Sequence, residues 1–192
     1  EDYLGFLVTR KNKNIKLLND FLGLIEHEIL KVSIIGNWEY WGRIDLKKIK
    51  DIYRQNNCEL LINESVQYNF SGKKISIAGV DDFLGGKPDI DQTMKAFKTG
   101  DYNVLLNHCP EYYDNIIKHN DIEKIDFVLS GHTHGGQINL FGYIPFIPKG
   151  SGKYLKNWYK ENTPNLYVSR GIGTSIVPIR FGVRSEVGVF YL

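Results

Sequence analysis

Two histidines one residue apart, His132 and His134, stand in the stretch Gly131-His132-Thr133-His134-Gly135-Gly136-Gln137, directly after the apolar run Asp126-Phe127-Val128-Leu129. The glycines of this stretch accept positive φ angles, so the chain can turn sharply as it leaves a strand. Two imidazoles on such a loop present nitrogen ligands to a metal in one cleft without needing a helix to space them. Three further features lie at compatible places: Asn107-His108 after Tyr102–Leu106, Gly36-Asn37-Trp38-Glu39 after Val32–Ile35, and Asp2 at the start of the chain. A mixed set of oxygen and nitrogen donors suits Mn²⁺, Fe or Zn²⁺ better than Ca²⁺. The chemistry on offer is therefore metal-assisted.

The elements that must hold these residues alternate between helical and strand patterns. Apolar residues recur at helical spacing from Asn14 to Leu30, and Lys31–Ile35 reads as a buried strand delivering Asn37. A second helix is predicted over Asp45–Gln55 with Asp45 as N-cap, followed by strands at Glu59–Ile62, Val66–Phe70 and Lys74–Ala78, the last two joined by the Ser71-Gly72 turn. The spacing then predicts a helix over Pro88–Phe97, the strand before His108, a helix over Glu111–Lys118 and the strand before His132. Such alternation argues for an α/β sandwich with its ligands at strand ends, where open sheets place their sites. His27 between two glutamates reads as a solvated helix residue, and His119 as a cation near a helix C-terminus. The Asp81-Asp82 pair after Gly79 reads as structural or near a substrate. No internal repeat or linker interrupts the 192 residues, which form a single expected domain.

Composition limits the function classes. With 42% hydrophobic and 24% charged residues the chain reads as globular rather than disordered or membrane-spanning. A net charge of +2 attracts neither nucleic acid nor membrane by bulk electrostatics, so no nucleic-acid partner is expected. Cys58 and Cys109 are too few for a disulfide framework, and a reducing compartment fits them. Cys109 follows His108 but should point away from it, as a packed thiol. Ser130-Gly131 lacks the Gly-x-Ser-x-Gly elbow of serine hydrolases. The only methionine is Met94, so residue 1 is not an initiator and any upstream signal or anchor is hidden; the location expected is cytoplasmic or peripheral to a membrane. Between Phe141 and Tyr159, prolines and glycines alternate with Tyr143, Phe146, Lys149, Lys153, Tyr154, Lys156, Trp158 and Tyr159, which predicts an extended flap beside the histidine loop. That flap is either a lid packed on the sheet or, over residues 141–160, a contact with a lipid interface or an amphipathic substrate.

In order, Gly36-Asn37-Trp38-Glu39, Asn107-His108 and Gly131-His132-Thr133-His134 resemble the motifs of the calcineurin-like metallophosphoesterases, and Glu1-Asp2 resembles what is left of that family's Gly-Asp. The similarity is greatest to a small bacterial branch often associated with membranes, which includes hydrolases of nucleotide-linked lipids. It extends to Tyr167–Thr174 and Arg180–Glu186, which look like that branch's closing strands. The resemblance implies an α-β-β-α sandwich, N-terminally truncated so that the first strand and its Asp-x-His motif lie outside the chain. It also implies two divalent metal ions, with Asp2 bridging them, Asn37, His108 and His132 completing one, and His134 binding the other. The implied reaction is hydrolysis of a phosphodiester or pyrophosphate, through a metal-activated hydroxide, on a small phosphoester that is nucleotide- or lipid-linked. The alternative is a catalytically weakened relative that binds or regulates. Trp38 stands where the family places a histidine thought to protonate the leaving group. An indole does not titrate near neutrality, so Trp38 is expected to line the substrate pocket, and no residue of this chain is assigned as a general acid.

Overall fold

The computed structural model describes residues 15–192. Its elements in chain order are helix α1 (15–23), strand β1 (Lys31–Ile34), helices α2 (Asn37–Trp41) and α3 (Leu46–Gln55), strands β2 (Cys58–Leu61), β3 (Glu64–Phe70) and β4 (Lys73–Gly79), helix α4 (Ile90–Lys95), strand β5 (Tyr102–Asn107), helix α5 (Tyr113–Ile116), and strands β6 (Phe127–Ser130), β7 (Asn157–Tyr159) and β8 (Asn165–Val168). Strands β1 and β2 pair in parallel as a small sheet. The large sheet runs β3-β4-β5-β6-β8-β7 and is parallel from β4 to β8, with antiparallel strands at both edges.

Hydrophobic burial divides the molecule into layers. Leu22, Ile35, Ile49, Ile52, Tyr53 and Leu60 join α1 and α3 to the small sheet. On one face of the large sheet, Ala78, Leu105, Val128 and Leu166 pack under Met94, Tyr113, Ile116 and Ile125. The alternate residues Ile75, Ile77, Val104, Leu106, Phe127 and Leu129 turn the other way, as the two-residue strand period requires. With Leu30 and Val32 they line an apolar groove of about 380 Å³. At its closed end the sheets nearly touch, since a Cβ on Gly79 would lie 2.6 Å from Ile34 Cγ2 and 2.7 Å from Leu61 Cβ. The order is helix, sheet, sheet, helix, as the sequence implied.

Several boundaries differ from the sequence reading. The first helix stops at Gly23 instead of reaching Leu30, because glycine is a poor helix residue and the turn beyond it is held by Lys31 Nζ donating to Glu26 O at 3.0 Å. The Pro88–Phe97 helix contracts to α4, capped by Asp89 accepting from Gln92 N at 2.8 Å. The Glu111–Lys118 helix splits into a 3₁₀ turn at Pro110–Tyr112 and the single turn of α5. The flap between Phe141 and Tyr159 is no single extended lid: Tyr154 is fully buried against Tyr113 and Tyr159, and 157–159 is the edge strand β7. Of the two closing segments, Tyr167–Thr174 is strand only at its first two residues, the end of β8, whereas 180–186 makes only a bridge at Phe181 to Ile138.

Asp81 and Asp82 prove to be structural. Asp81 accepts from Tyr40 OH at 2.6 Å and Lys87 N at 2.8 Å. Asp82, wholly buried, accepts from Leu84 N, Gly85 N and the Cys109 thiol. Asp82→Ala strands these donors in the interior, and the expected cost is about 2–4 kcal/mol. It is read as a lower urea midpoint with unchanged slope.

Candidate metal centre

The carboxyl ends of three strands converge. β5 delivers His108, β6 delivers His132, and β1 of the small sheet delivers Asn37 at the first turn of α2, so the site spans both sheets. Gly131 N donates to His108 O at 3.2 Å, tying the two histidine loops at their bases. Asn37 Oδ1 lies 3.0 Å from His108 Nε2 and 3.2 Å from His132 Nδ1, and the two ring nitrogens are 3.3 Å apart. These edges match a face formed by ligands about 2.1 Å from one ion in roughly octahedral geometry.

The donor chemistry of this triangle fits a cation. His132 Nε2 lies 2.7 Å from the carbonyl oxygen of Lys149, which only accepts, so Nε2 carries the proton. In the neutral ring Nδ1 is then a bare lone pair, and it faces the Asn37 carbonyl oxygen, another acceptor. Burial drives the His108 pKa down to about 3, with the neighbouring histidines adding to the shift, so that ring is neutral as well. Asn37 Oδ1 and the His132 lone pair repel unless His108 Nε2 donates between them or a cation lies among them, and with the His108 proton on Nδ1 the triangle fits a cation. A carbonyl holding the far N–H of a ligand histidine is also the usual orienting arrangement at metal sites.

His134 is held differently. Its Nδ1 is 3.0 Å from Gly173 O, which fixes the proton there and leaves Nε2 without a partner among the described residues. Arg180 Nη2 lies 3.2 Å from the same Nδ1, but its hydrogen bond goes to Arg170 O at 2.7 Å. His134 is thus not a member of the triangle. Burial lowers its pKa, which favours the unprotonated ring that ligation needs.

Local backbone explains how the loop turns twice in so few residues. His132 and His134 have φ of 67° and 51°, Gly135 and Gly136 follow at 62° and 83°, and Gln137 at 55°. Thr133 Oγ1 accepts from Gly135 N and donates to Leu155 O at 2.6 Å, pinning the loop from beneath. Gly36 is required by approach, since a Cβ there would lie 2.9 Å from His108 Nε2.

Of the residues singled out from sequence, Asn37, His108 and His132 meet, His134 flanks them, and Asp2 lies outside the described residues. Trp38 is 54% exposed beside the site on α2, edge-on to Trp41 at 5.6 Å. Cys109 Sγ comes within 4.8 Å of both ring nitrogens. It nevertheless donates to Asp82 at 3.2 Å, and burial pushes its pKa far up, so it stays a protonated thiol. His119 pairs with Asp91 at 3.3 Å, remote in role from the centre. Sequence reasoning missed Lys149 and Gly173, which act through backbone carbonyls that any residue supplies. It also missed Arg180, for which the only signal was a cation in the closing segment.

Comparisons with known proteins follow the same line. No family model matches this chain, and no solved structure matches it. Among curated proteins, the uncharacterized Bacillus subtilis protein YpbG is 33% identical over 188 residues, covering 98% of this chain and 66% of its own length. The uncharacterized metallophosphoesterase YkuE of B. subtilis is 39% identical over 122 residues, 63% of this chain and 41% of YkuE. An uncharacterized metallophosphoesterase of Aquifex aeolicus is 32% identical over 186 residues, 92% of this chain and 66% of that protein. The chain therefore spans between 41% and 66% of the length of these relatives.

Two outcomes test the geometry. Gly36→Ala crowds His108 and should lower Mn²⁺ affinity about 10- to 100-fold, by analogy with lost orienting contacts, measured by isothermal titration. The folded metal-free protein keeps His108 neutral down to about pH 3, whereas the unfolded chain takes up the proton near 6.5. Its stability therefore falls as pH drops through that window, and His108→Gln should flatten the slope in thermal melts stepped across it.

Proposed function

The chain belongs to the metallophosphoesterase family, and on that premise we propose that it is a metal-dependent hydrolase of phosphodiester or pyrophosphate bonds. The observation that carries the reading is the convergence of Asn37 Oδ1 with one ring nitrogen each of His108 and His132, at 3.0, 3.2 and 3.3 Å. The reading includes two divalent ions of Mn²⁺, Fe or Zn²⁺ type, one at the triangle and one at His134, with Asp2 between them. When bound, such ions offset the phosphoryl charge and acidify water near neutral pH.

The chain's own residues set the limits of the reaction. Asn37 contributes a neutral oxygen, so it leaves the ion's charge undiminished toward a phosphoryl oxygen. Lys149 O and Gly173 O hold the two histidines in fixed tautomers, so neither ring has to reorganise as ligation occurs. Hydrolysis breaks the bond from phosphorus to the leaving oxygen and forms one to a water oxygen, with the leaving group departing as an anion or taking a proton from solvent. Trp38 cannot supply that proton. The substrates favoured are those whose leaving group is already a weak base, such as a nucleotide phosphate or an aryl oxide.

Turnover of the whole protein with Mn²⁺ on an aryl phosphodiester tests this. His132→Ala should reduce it by about 100-fold or more, and Trp38→His should raise turnover on alkyl esters about 10- to 100-fold while leaving aryl esters little changed. Wild-type activity no greater than that of His132→Ala would instead favour the weakened, binding or regulatory relative.

A further inference from the structure

Arg180 is a half-buried cation that the reaction above leaves without a role. Its guanidinium is engaged with peptide oxygens: Nε donates to Gly173 O at 2.7 Å, and Nη2 donates to Arg170 O at 2.7 Å and Gly171 O at 3.2 Å. Nη1 is buried and has no acceptor among the described residues. A guanidinium kept in such a place, with one nitrogen unsatisfied, needs a reason beyond solubility.

Hydrogen counting gives one. Gly173 O is also the acceptor for His134 Nδ1 at 3.0 Å, and a carbonyl oxygen has a lone pair for each donor. Arg180 Nη2 lies 3.2 Å from the same Nδ1. A hydrogen bond donated there would leave the proton of the neutral ring on Nε2, the atom that must be bare to bind a metal. Nη2 has two hydrogens, and Arg170 O and Gly171 O take both, so none remains for Nδ1. The His134 proton therefore sits on Nδ1, toward Gly173 O, and Nε2 is open. One guanidinium thus holds the acceptor that selects the ligating tautomer, while its own donors are kept off the nitrogen where they would select the other.

Neighbouring residues fix this arrangement from both sides. Glu186 pairs with the Arg170 side chain and accepts from Arg170 N at 2.8 Å, and Glu186 N donates to Gly171 O at 3.1 Å, so the carbonyls at 170 and 171 are held in place. Gln137, three residues after His134, donates from Nε2 to Ser175 O at 3.0 Å and Val177 O at 2.9 Å and accepts at Oε1 from Ser175 N at 2.6 Å. The stretch between Gly173 and Arg180 is thereby tied back to the loop of His134 itself. We propose that Arg180 is a positioning residue, acting through Gly173 O to hold His134 in the tautomer whose Nε2 can bind a metal. Its use rests on the metal-centre reading above, but the tautomer is a property of the metal-free protein, so the two fail separately.

Proton–nitrogen NMR of the histidine rings tests it, on the whole protein free of metal and at a pH where the rings are neutral. His134→Gln assigns the His134 signals, and His132 is an internal control, because its proton sits on the other nitrogen, Nε2, against Lys149 O. Wild type should show His134 protonated on Nδ1 and His132 on Nε2. Arg180→Lys keeps the charge but cannot hold Gly173 O together with the carbonyls of Arg170 and Gly171, and Arg180→Ala removes the group altogether. In both variants His134 should become a mixture of tautomers while His132 is unchanged, and methylguanidinium added to Arg180→Ala should restore the single form. The Zn²⁺ binding that His134→Gln removes should weaken about 10- to 100-fold in each variant, read by titration calorimetry. His134 protonated on Nε2 in wild type, or still on Nδ1 alone in Arg180→Lys, overturns the proposal. Movement of His132 together with His134 also overturns it, since a general loosening of the fold would do that, as does a changed tautomer with unchanged Zn²⁺ binding. Wild type that binds no Zn²⁺ contradicts the metal-centre reading instead, and the ring protons still decide the role of Arg180.

Discussion

Three polar atoms brought within hydrogen-bonding distance of one another, Asn37 Oδ1 and one ring nitrogen each of His108 and His132, are the constraint on which the rest of the site depends. Left alone, Asn37 Oδ1 and the facing nitrogen of His132 repel, and the protein keeps them together only because each is anchored elsewhere. Asn37 is locked at the start of a helix, His132 is gripped through its far nitrogen by Lys149 O, and His108 is enclosed by burial. The missing Cβ of Gly36 and the left-handed turn at His132 follow from the same requirement. Such an arrangement fits a cation, and folding energy spent in preparing it would be recovered on binding one.

Because Asn37 rises from the small sheet and the histidines from the large one, ligation also ties the two layers together. The sheets otherwise approach closely at Gly79 and diverge along an apolar groove. A metal at the triangle would therefore act as a cross-brace at one end of the sandwich formed by the described residues. Affinity for such an ion and resistance of the layers to separation would then be one quantity viewed from two sides.

Much of this was legible in the sequence, for a physical reason. His108, His132 and Asn37 each follow a short apolar strand, and a polar ligand at the carboxyl end of a buried strand is a pattern that residue types alone reveal. The N-cap at Asp45 and the turn at Ser71-Gly72 were readable in the same way, since each depends on local chemistry. What escaped was non-local or anonymous. Lys149 and Gly173 work through peptide oxygens, which carry no residue identity, and Tyr154 enters the core from a stretch whose prolines and glycines suggested a free flap. The end of the first helix was obscured because the apolar pattern runs past Gly23 with Leu24 and Ile29, both of which are exposed.

The left-handed backbone at His132 and His134 has a consequence for how such a site can change over generations. His132 and His134 occupy conformations that glycine, asparagine and aspartate tolerate and that most other side chains resist. Glycine would discard the donor, whereas asparagine and aspartate would replace nitrogen by oxygen. Cysteine has no comparable ease there. If these histidines hold a metal, inherited drift at this loop has a direction: the ligands would pass toward oxygen, and the metal toward harder cations, more readily than toward sulfur and the soft ones.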